Sequence, residues 1–426
     1  MTDENILIIG AGAAGLMAAR TLIRQGKQVT IIEAREKTGG RILDINDDKV
    51  DYPFMLGAEF IHGEASLTME LLAEAGLSYY EVGAGSYRFE GGRLQPENEF
   101  DGHWPDFMNK LELLTEDISL TDFLAASFAG EEYQELREHV RNFAEGFDAA
   151  DPDRVSMLAL KKEWQQEAKQ YRVKGGYGKL MRFLEDECIR GGASILTEKV
   201  VSHFSWSKDV VEAITKDGER ILGHKVIITV PLGVLKVKDG SLGSVNFTPP
   251  LPVKMEAIRA MGFGAVIKVV LCFKENFWSQ DVPEAGFIFS GETIPTWWTQ
   301  APDPAPVLTG WLAGPKAEQL CDQSDEDLLE AALRSLSNIF SRKQDELKAA
   351  LVRGHAYNWK ADPFSRGAYS YTTVSSDQAL QVLLEPVQET LFFAGEAVYE
   401  GPHTATVEAA LQSGKAAAEK ILKSSR

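Results

Sequence analysis

Between Ile6 and Glu33 the chain spells a short apolar run, glycines at 10, 12 and 15, a helical repeat and a second apolar run ending in an acid. Few folds accept that order. Ile6 to Ile9 reads as a buried strand, and Leu16, Ala19, Leu22 and Ile23 recur at the spacing of one helix face. Gly26 closes the helix before QVTIIE resumes as a strand, so the segment is a βαβ unit and requires a parallel sheet. Gly10, Gly12, Ala14 and Gly15 occupy the strand-to-helix turn, where missing side chains let backbone amides and the helix N-terminus approach a pyrophosphate. Taken alone, such a turn could merely pack. Glu33, 18 residues past Gly15 and followed by Ala34, supplies a carboxylate where a ribose diol would need an acceptor. Together these features predict a bound adenine dinucleotide, NAD or FAD.

At 426 residues and 44% hydrophobic content, the chain is expected to build two cores. Its net charge of -19 opposes nucleic-acid binding and favours a cationic ligand if the acids line an entrance; solubility alone would also account for it. The opening MTDENILIIG carries acids where a secretory leader carries bases, and no apolar run has membrane-spanning length, so a cytoplasmic setting is expected. Cys188, Cys272 and Cys321 are widely spaced, which suggests neither a disulfide framework nor a metal site.

Further along, AITKDGERILGHKVIITV reads as a strand pair turning at Asp217-Gly218, and a last helix starts at Val407; both are expected in the nucleotide-binding layer. Helices are expected at Leu67 to Ala75, after Ser119 and after Ser324. GFIFSGETIPTWWTQ reads as aromatic strands, and APDPAP as a loop between strands. The order suggests two interleaved units. GFGAVIKVVLCF, residues 262 to 273, is almost unbroken apolar sequence holding one ammonium, Lys268, which needs a polar partner if buried.

The stretch EAREKTGGRI, with Arg35, Gly40 and Arg41, follows the ribose acid. Together with GAGAAGL it resembles the flavin-containing amine oxidases: monoamine oxidases, polyamine oxidases and lysine-specific histone demethylases. LGAEFIHG, VIITVPLGVLK, YNWKADPFSRGAYSY and FFAGEAVYEGPHTATVEAALQSGKAA continue the likeness, most closely to the polyamine oxidase branch, while residues 95 to 170 match weakly. The resemblance implies an α/β fold of the p-hydroxybenzoate-hydroxylase-like type, with a Rossmann-like FAD-binding domain interleaved with an α+β substrate domain that contains a mixed sheet flanked by helices. The expected FAD domain is 1–78, 184–255 and 355–426, and the substrate domain 79–183 and 256–354.

The same resemblance implies that Gly57, Ala58 and Glu59 pass along the flavin, and that Gly395 and Glu396 hold its ribityl and phosphate region. Thr406 and Val407 open a helix toward its pyrimidine edge, Val200 reaches the adenine and Trp359 packs near the ring. Lys268 reaches the flavin N5 through a water, its strand face shared with Val266 and Val270 lining the site; Tyr369 is an aromatic wall for the amine. Ala368 stands where monoamine oxidases attach flavin through cysteine, which implies non-covalent FAD, and Thr406 replaces their second aromatic wall. His62 could bond a substrate amine or satisfy buried backbone; Tyr177 could serve only its turn, and Trp297, Trp298 and Trp311 line a tunnel or fill core.

The expected reaction is oxidation of a polyamine C–N bond by hydride transfer to flavin, with dioxygen as acceptor, giving hydrogen peroxide and an aldehyde. No protein base is required. Histone demethylation is not expected, because the catalytic core consumes the chain. The alternatives are an L-amino acid oxidase, for which Arg88, Arg93 or Arg172 would bind the carboxylate, and a flavin-binding protein without turnover.

Overall fold

The first apolar run sits at the centre of a parallel sheet. In the computed structural model, which describes residues 4–83, 85–97, 102–165, 169–237 and 240–424, five strands lie in the order Ser194–Leu196, Gln28–Ile32, Asn5–Ile9, Lys225–Ile228 and Leu391–Phe393. All four pairings are parallel. Ile6 to Ile9 are buried on both faces, which explains why this strand shows no polar alternation. Helix Ala13–Ile23 follows directly and packs on Val407–Ser424, with Leu16, Ala18, Leu411 and Ala418 in one core. The helices approach closely at Gly414, where a Cβ would stand 2.1 Å from the Ala14 carbonyl oxygen.

A seven-stranded sheet forms the second layer: Leu351–Asn358, Val266–Phe273, Val307–Ala313, Thr296–Trp298, Ala285–Ser290, Gly85–Glu90 and Arg93–Pro96. Its pairings are antiparallel except Ala285–Ser290 with Gly85–Glu90, so the sheet is mixed. Val266–Phe273 is interior and wholly buried. Its odd-numbered side chains pack under helix Asp325–Ile339, while Val266 faces Trp359 and Ala368, and Val270 and Cys272 face Phe54 and Leu56. The expected boundary at residue 355 falls inside the strand Leu351–Asn358.

Asp217-Gly218 does turn between antiparallel strands Val210–Thr215 and Arg220–Gly223. That pair lies in a separate four-stranded sheet, however, and only the following strand, Lys225–Ile228, enters the parallel one. The burial patterns give the reason: Val210–Thr215 alternates and keeps one open face, whereas Lys225–Ile228 is buried throughout. Helices Trp104–Glu112, Leu120–Ser127, Gln134–Gly146 and Met157–Trp164 share a third core around Phe107, Phe123 and Leu136. Ser119 and Ser156 cap two of them, their hydroxyls accepting from Asp122 N and Ala159 N.

Candidate active site

One cavity of about 2720 Å³ runs from the glycine turn to the helical layer. That is well beyond the roughly 300–1,000 Å³ of an ordinary small-molecule pocket. At one end it is lined by Gly10, Gly12, Ala14, Glu33, Ala34 and Arg35. Gly10 has φ +104°, and a Cβ there would stand 2.7 Å from Thr229 Oγ1. At Gly12 a Cβ would find no protein atom nearer than 3.9 Å, so that surface is left for a ligand. Gly15 serves differently from its expected cofactor contact: it is absent from the lining, and a Cβ there would fall 1.9 Å from Gly10 O, so it lets the helix sit on the strand.

Glu33 is buried, with Oε2 accepting from Ala11 N at 2.7 Å and Oε1 from Arg35 N at 2.9 Å. Burial holds its carboxyl above the usual range against the opposing pull of those amides and the Arg35 charge. Arg35 pairs with Asp362 at 2.8 Å. Arg41, Gly40 and Val200 also line the cavity, but Arg41 Nη1 is already donating to Glu396 Oε1 and Ala368 O, each at 2.7 Å. Glu396 Oε2 in turn accepts from Ser370 Oγ at 2.6 Å. Gly395 has open space where a Cβ would project, a second cradle in the same wall. The clear glycine surfaces, the ribose-side acid and the length of the cavity fit a dinucleotide.

The same cavity is lined by Gly57, Ala58 and Glu59 together with Val266, Lys268 and Trp359. Trp359 is fixed by its Nε1 donating to Leu56 O at 2.9 Å. Val270, expected to share this face, is covered by Phe54 and Leu56 and is absent from the lining. Lys268 is 1% exposed, and the sequence reading named no protein partner for it. Its Nζ donates to Glu59 Oε2 at 2.8 Å and to Gly57 O at 3.0 Å. Burial lowers the ammonium pKa while Glu59 opposes that shift; burial raises Glu59, but Lys268 and Arg172 outweigh it and hold the carboxyl below its ordinary range.

Tyr369 also lines the cavity, stacked on Trp311 with ring centres 6.4 Å apart and planes at 16°. Its hydroxyl donates to Phe147 O at 2.6 Å, which fixes the ring. Thr406 lines the cavity beside Val407, but its hydroxyl is occupied, donating to His403 O at 2.6 Å and accepting from Ala409 N at 3.2 Å as the helix cap. His62 also lines the wall; burial first, then the neighbouring His403, push its pKa down to about 4, so it is neutral near pH 7. Trp298 belongs to the lining as well, whereas Trp297 is core and Tyr177 is buried beneath the glycine-rich turn.

The helical layer supplies what sequence reasoning missed. Glu135, Glu138, Asn142 and Glu145 face the cavity from one side of helix Gln134–Gly146, while Leu136, Val140 and Ala144 fill the core from the other. That is a 3.6-residue pattern legible in the chain, yet nothing local says that a charged face borders a cavity rather than solvent. Asp148 follows, 9% exposed, with Oδ2 making no hydrogen bond, and Glu163 lies beside it. Burial and then Glu163 raise the Asp148 carboxyl well above its ordinary range, and burial raises Glu163.

A family model described as flavin containing amine oxidoreductase matches residues 13–422. Lysine-specific histone demethylase 1 homolog 3 of Arabidopsis thaliana is 29% identical over 99% of this chain and 30% of its own length. Lysine-specific histone demethylase 2 of Homo sapiens is 27% identical over 98% of this chain and 53% of its own. The chain thus spans from under a third to about half of these relatives. Among solved structures, a wild-type putrescine oxidase bound to putrescine superposes with TM-score 0.80 at 19% identity, covering 99% of both chains. Cyclohexylamine oxidase from Brevibacterium oxydans IH-35A gives 0.80 at 19%, covering all of both. At that identity these two establish a shared fold.

Proposed function

Because the chain belongs to the flavin-containing amine oxidoreductase family, we propose that it oxidises a C–N bond of a small amine bearing a second positive charge, a polyamine or a close relative. The observation that carries this reading is the Asp148–Glu163 pair, which lines the cavity together with Tyr369 and the acids of helix Gln134–Gly146. FAD, held non-covalently, would take the hydrogen and electron pair from the carbon next to nitrogen and pass the electrons to dioxygen, leaving peroxide and, after hydrolysis of the imine, an aldehyde. Glu33 would accept from the ribose, and the Gly12 and Gly395 surfaces would admit the phosphates and ribityl chain.

Tyr369 and Trp311 would hold the reacting amine between a fixed aromatic wall and the ring. Neutral His62 can accept a hydrogen bond from the amine. Lys268 presents its amino group on the cavity wall where the ring would lie. Tyr369, already donating to Phe147, is placed to orient the amine rather than to remove its proton.

An L-amino acid substrate has less support. Arg88 is held by Glu97 in a two-pronged pair, Arg172 is buried against Glu59, and Arg93 is exposed away from the cavity. Methylated lysine has support from the names of the relatives. Anaerobic mixing of the FAD-loaded protein with diamines, polyamines, monoamines, L-amino acids and a dimethyl-lysine peptide separates these readings. Flavin absorbance should bleach fastest with a di- or polyamine. Fastest bleaching by another class, or none by any, overturns the assignment.

A further inference from the structure

Glu59 carries more of the site than a contact along the flavin would require. Its Oε2 takes the Lys268 ammonium at 2.8 Å, while its Oε1 accepts from Trp298 Nε1 at 3.1 Å and Gln300 Nε2 at 3.4 Å and forms an ion pair with Arg172, whose Nε lies 3.0 Å away. The side chains of all three charged residues are 1% exposed. One carboxylate therefore faces two buried cations, with Trp298 also presenting its ring face to Lys268 Nζ at 5.3 Å. We infer that Glu59 is a positioning residue for Lys268, holding the ammonium charged and aimed along the cavity wall, with Arg172 keeping the carboxylate itself ionised and in place.

An ammonium sealed from water sheds its proton unless an anion lies against it, and here Glu59 is the carboxylate in direct contact. Other titratable groups facing the cluster are Asp44, whose Oδ2 accepts from Gly178 N at 2.7 Å, and Tyr80, which lies beside Arg172. Tyr357 lies opposite Lys268 on the neighbouring strand but is engaged by Asp362. Arg172 acts in the opposite sense to Glu59, since its positive charge alone would favour neutral lysine. A lysine with two of its three N–H groups committed to Glu59 and Gly57 is also fixed in direction, which leaves one donor for the cavity.

The inference rests on flavin binding and not on which amine is oxidised. It is tested by measuring the flavin reduction potential against pH, with reference dyes and no substrate, beside FAD content and Tm. The slope of that curve changes where a nearby group gains or loses a proton. In the native protein the Lys268 break should lie at high pH; in Glu59→Gln it should move down by about one pH unit or more. Lys268→Met should lack the break, and Glu59→Gln in the Lys268→Met background should add no further change. Glu59→Asp should restore much of the native curve. Should Glu59→Gln fail to retain FAD, Glu59→Gln with Arg172→Gln keeps the native net charge of the trio and should still show the lowered break. A break unmoved by loss of Glu59, or a displacement equally large without Lys268, overturns the inference. If no substrate class bleaches the flavin, these curves can still be recorded, so the two failures are separable.

Discussion

Asp148 places a carboxyl where burial and a neighbouring acid both penalise its charge. Its Oδ2 makes no hydrogen bond, and its neighbour is another acid. Its folded-state pKa is raised above the unfolded value, so its contribution to stability is fully present below the unfolded pKa and is lost as pH rises through the folded one. Asp148→Asn should therefore raise Tm at pH 8 and leave it nearly unchanged at pH 4.5, measured by calorimetry. The same change should lower kcat/KM for a polyamine by about tenfold, equivalent to roughly 1.4 kcal/mol, while sparing a monoamine. A gain in stability with a loss of activity is the expected signature of a group kept for its ligand. His62 has the converse sign: its pKa is depressed to about 4, so the stability it contributes as a neutral base is lost as pH falls from the unfolded value toward 4.

Two glycines of one turn separate packing from binding at the level of the element. A Cβ at Gly15 collides with the Gly10 carbonyl, so Gly15→Ala should break the seating of helix Ala13–Ile23 and yield little folded protein. Gly12→Ala meets no protein atom closer than 3.9 Å. It should fold with near-native Tm when stripped of flavin and bind FAD about tenfold or more weakly. Glu408 offers another test, since it joins two helices: its carboxylate accepts from Leu67 N at 3.0 Å, and from Thr68 N and Thr68 Oγ1 at 2.7 Å each, at the start of helix Ser66–Glu74. Glu408→Ala strands two buried amides and should cost about 2–4 kcal/mol in denaturant unfolding. Much of this level was legible: the βαβ unit, the helix after Ser119, the helix after Ser324 and the helix from Val407 follow from local spacing. The four-stranded sheet was not, because a hairpin turn fixes its own two strands and says nothing of the sheet they join.

Across the whole molecule, the net charge of -19 acquires a direction only once the helical layer is seen to put part of it on the cavity wall. Raising ionic strength from 20 to about 300 mM shortens the screening length from about 20 Å to under 10 Å. It should therefore lower kcat/KM for a polyamine severalfold and leave a monoamine little changed. Equal effects on both would mean that the acids serve solubility. Most of the candidate cofactor residues line one cavity although they come from distant segments, and those at 10–14, 33–41, 57–59 and 395–396 were legible because they lie in short motifs rich in glycines and acids. The acids of residues 135 to 163 escaped notice because charges on a helix face look alike whether they meet solvent or a ligand.

What the sequence by itself determined was local and periodic. The glycine turn, the strand that follows it and the acid at position 33 have one good physical use together, and the motif run carries that use to the final helix. Tertiary structure alone decided which groups share a dry space. Lys268 and Glu59 are 209 residues apart, and Arg172 comes from a third segment. Only the folded sheets bring their charges within 3.0 Å, and charge in a buried site depends on what surrounds it in space, which no spacing along the chain records.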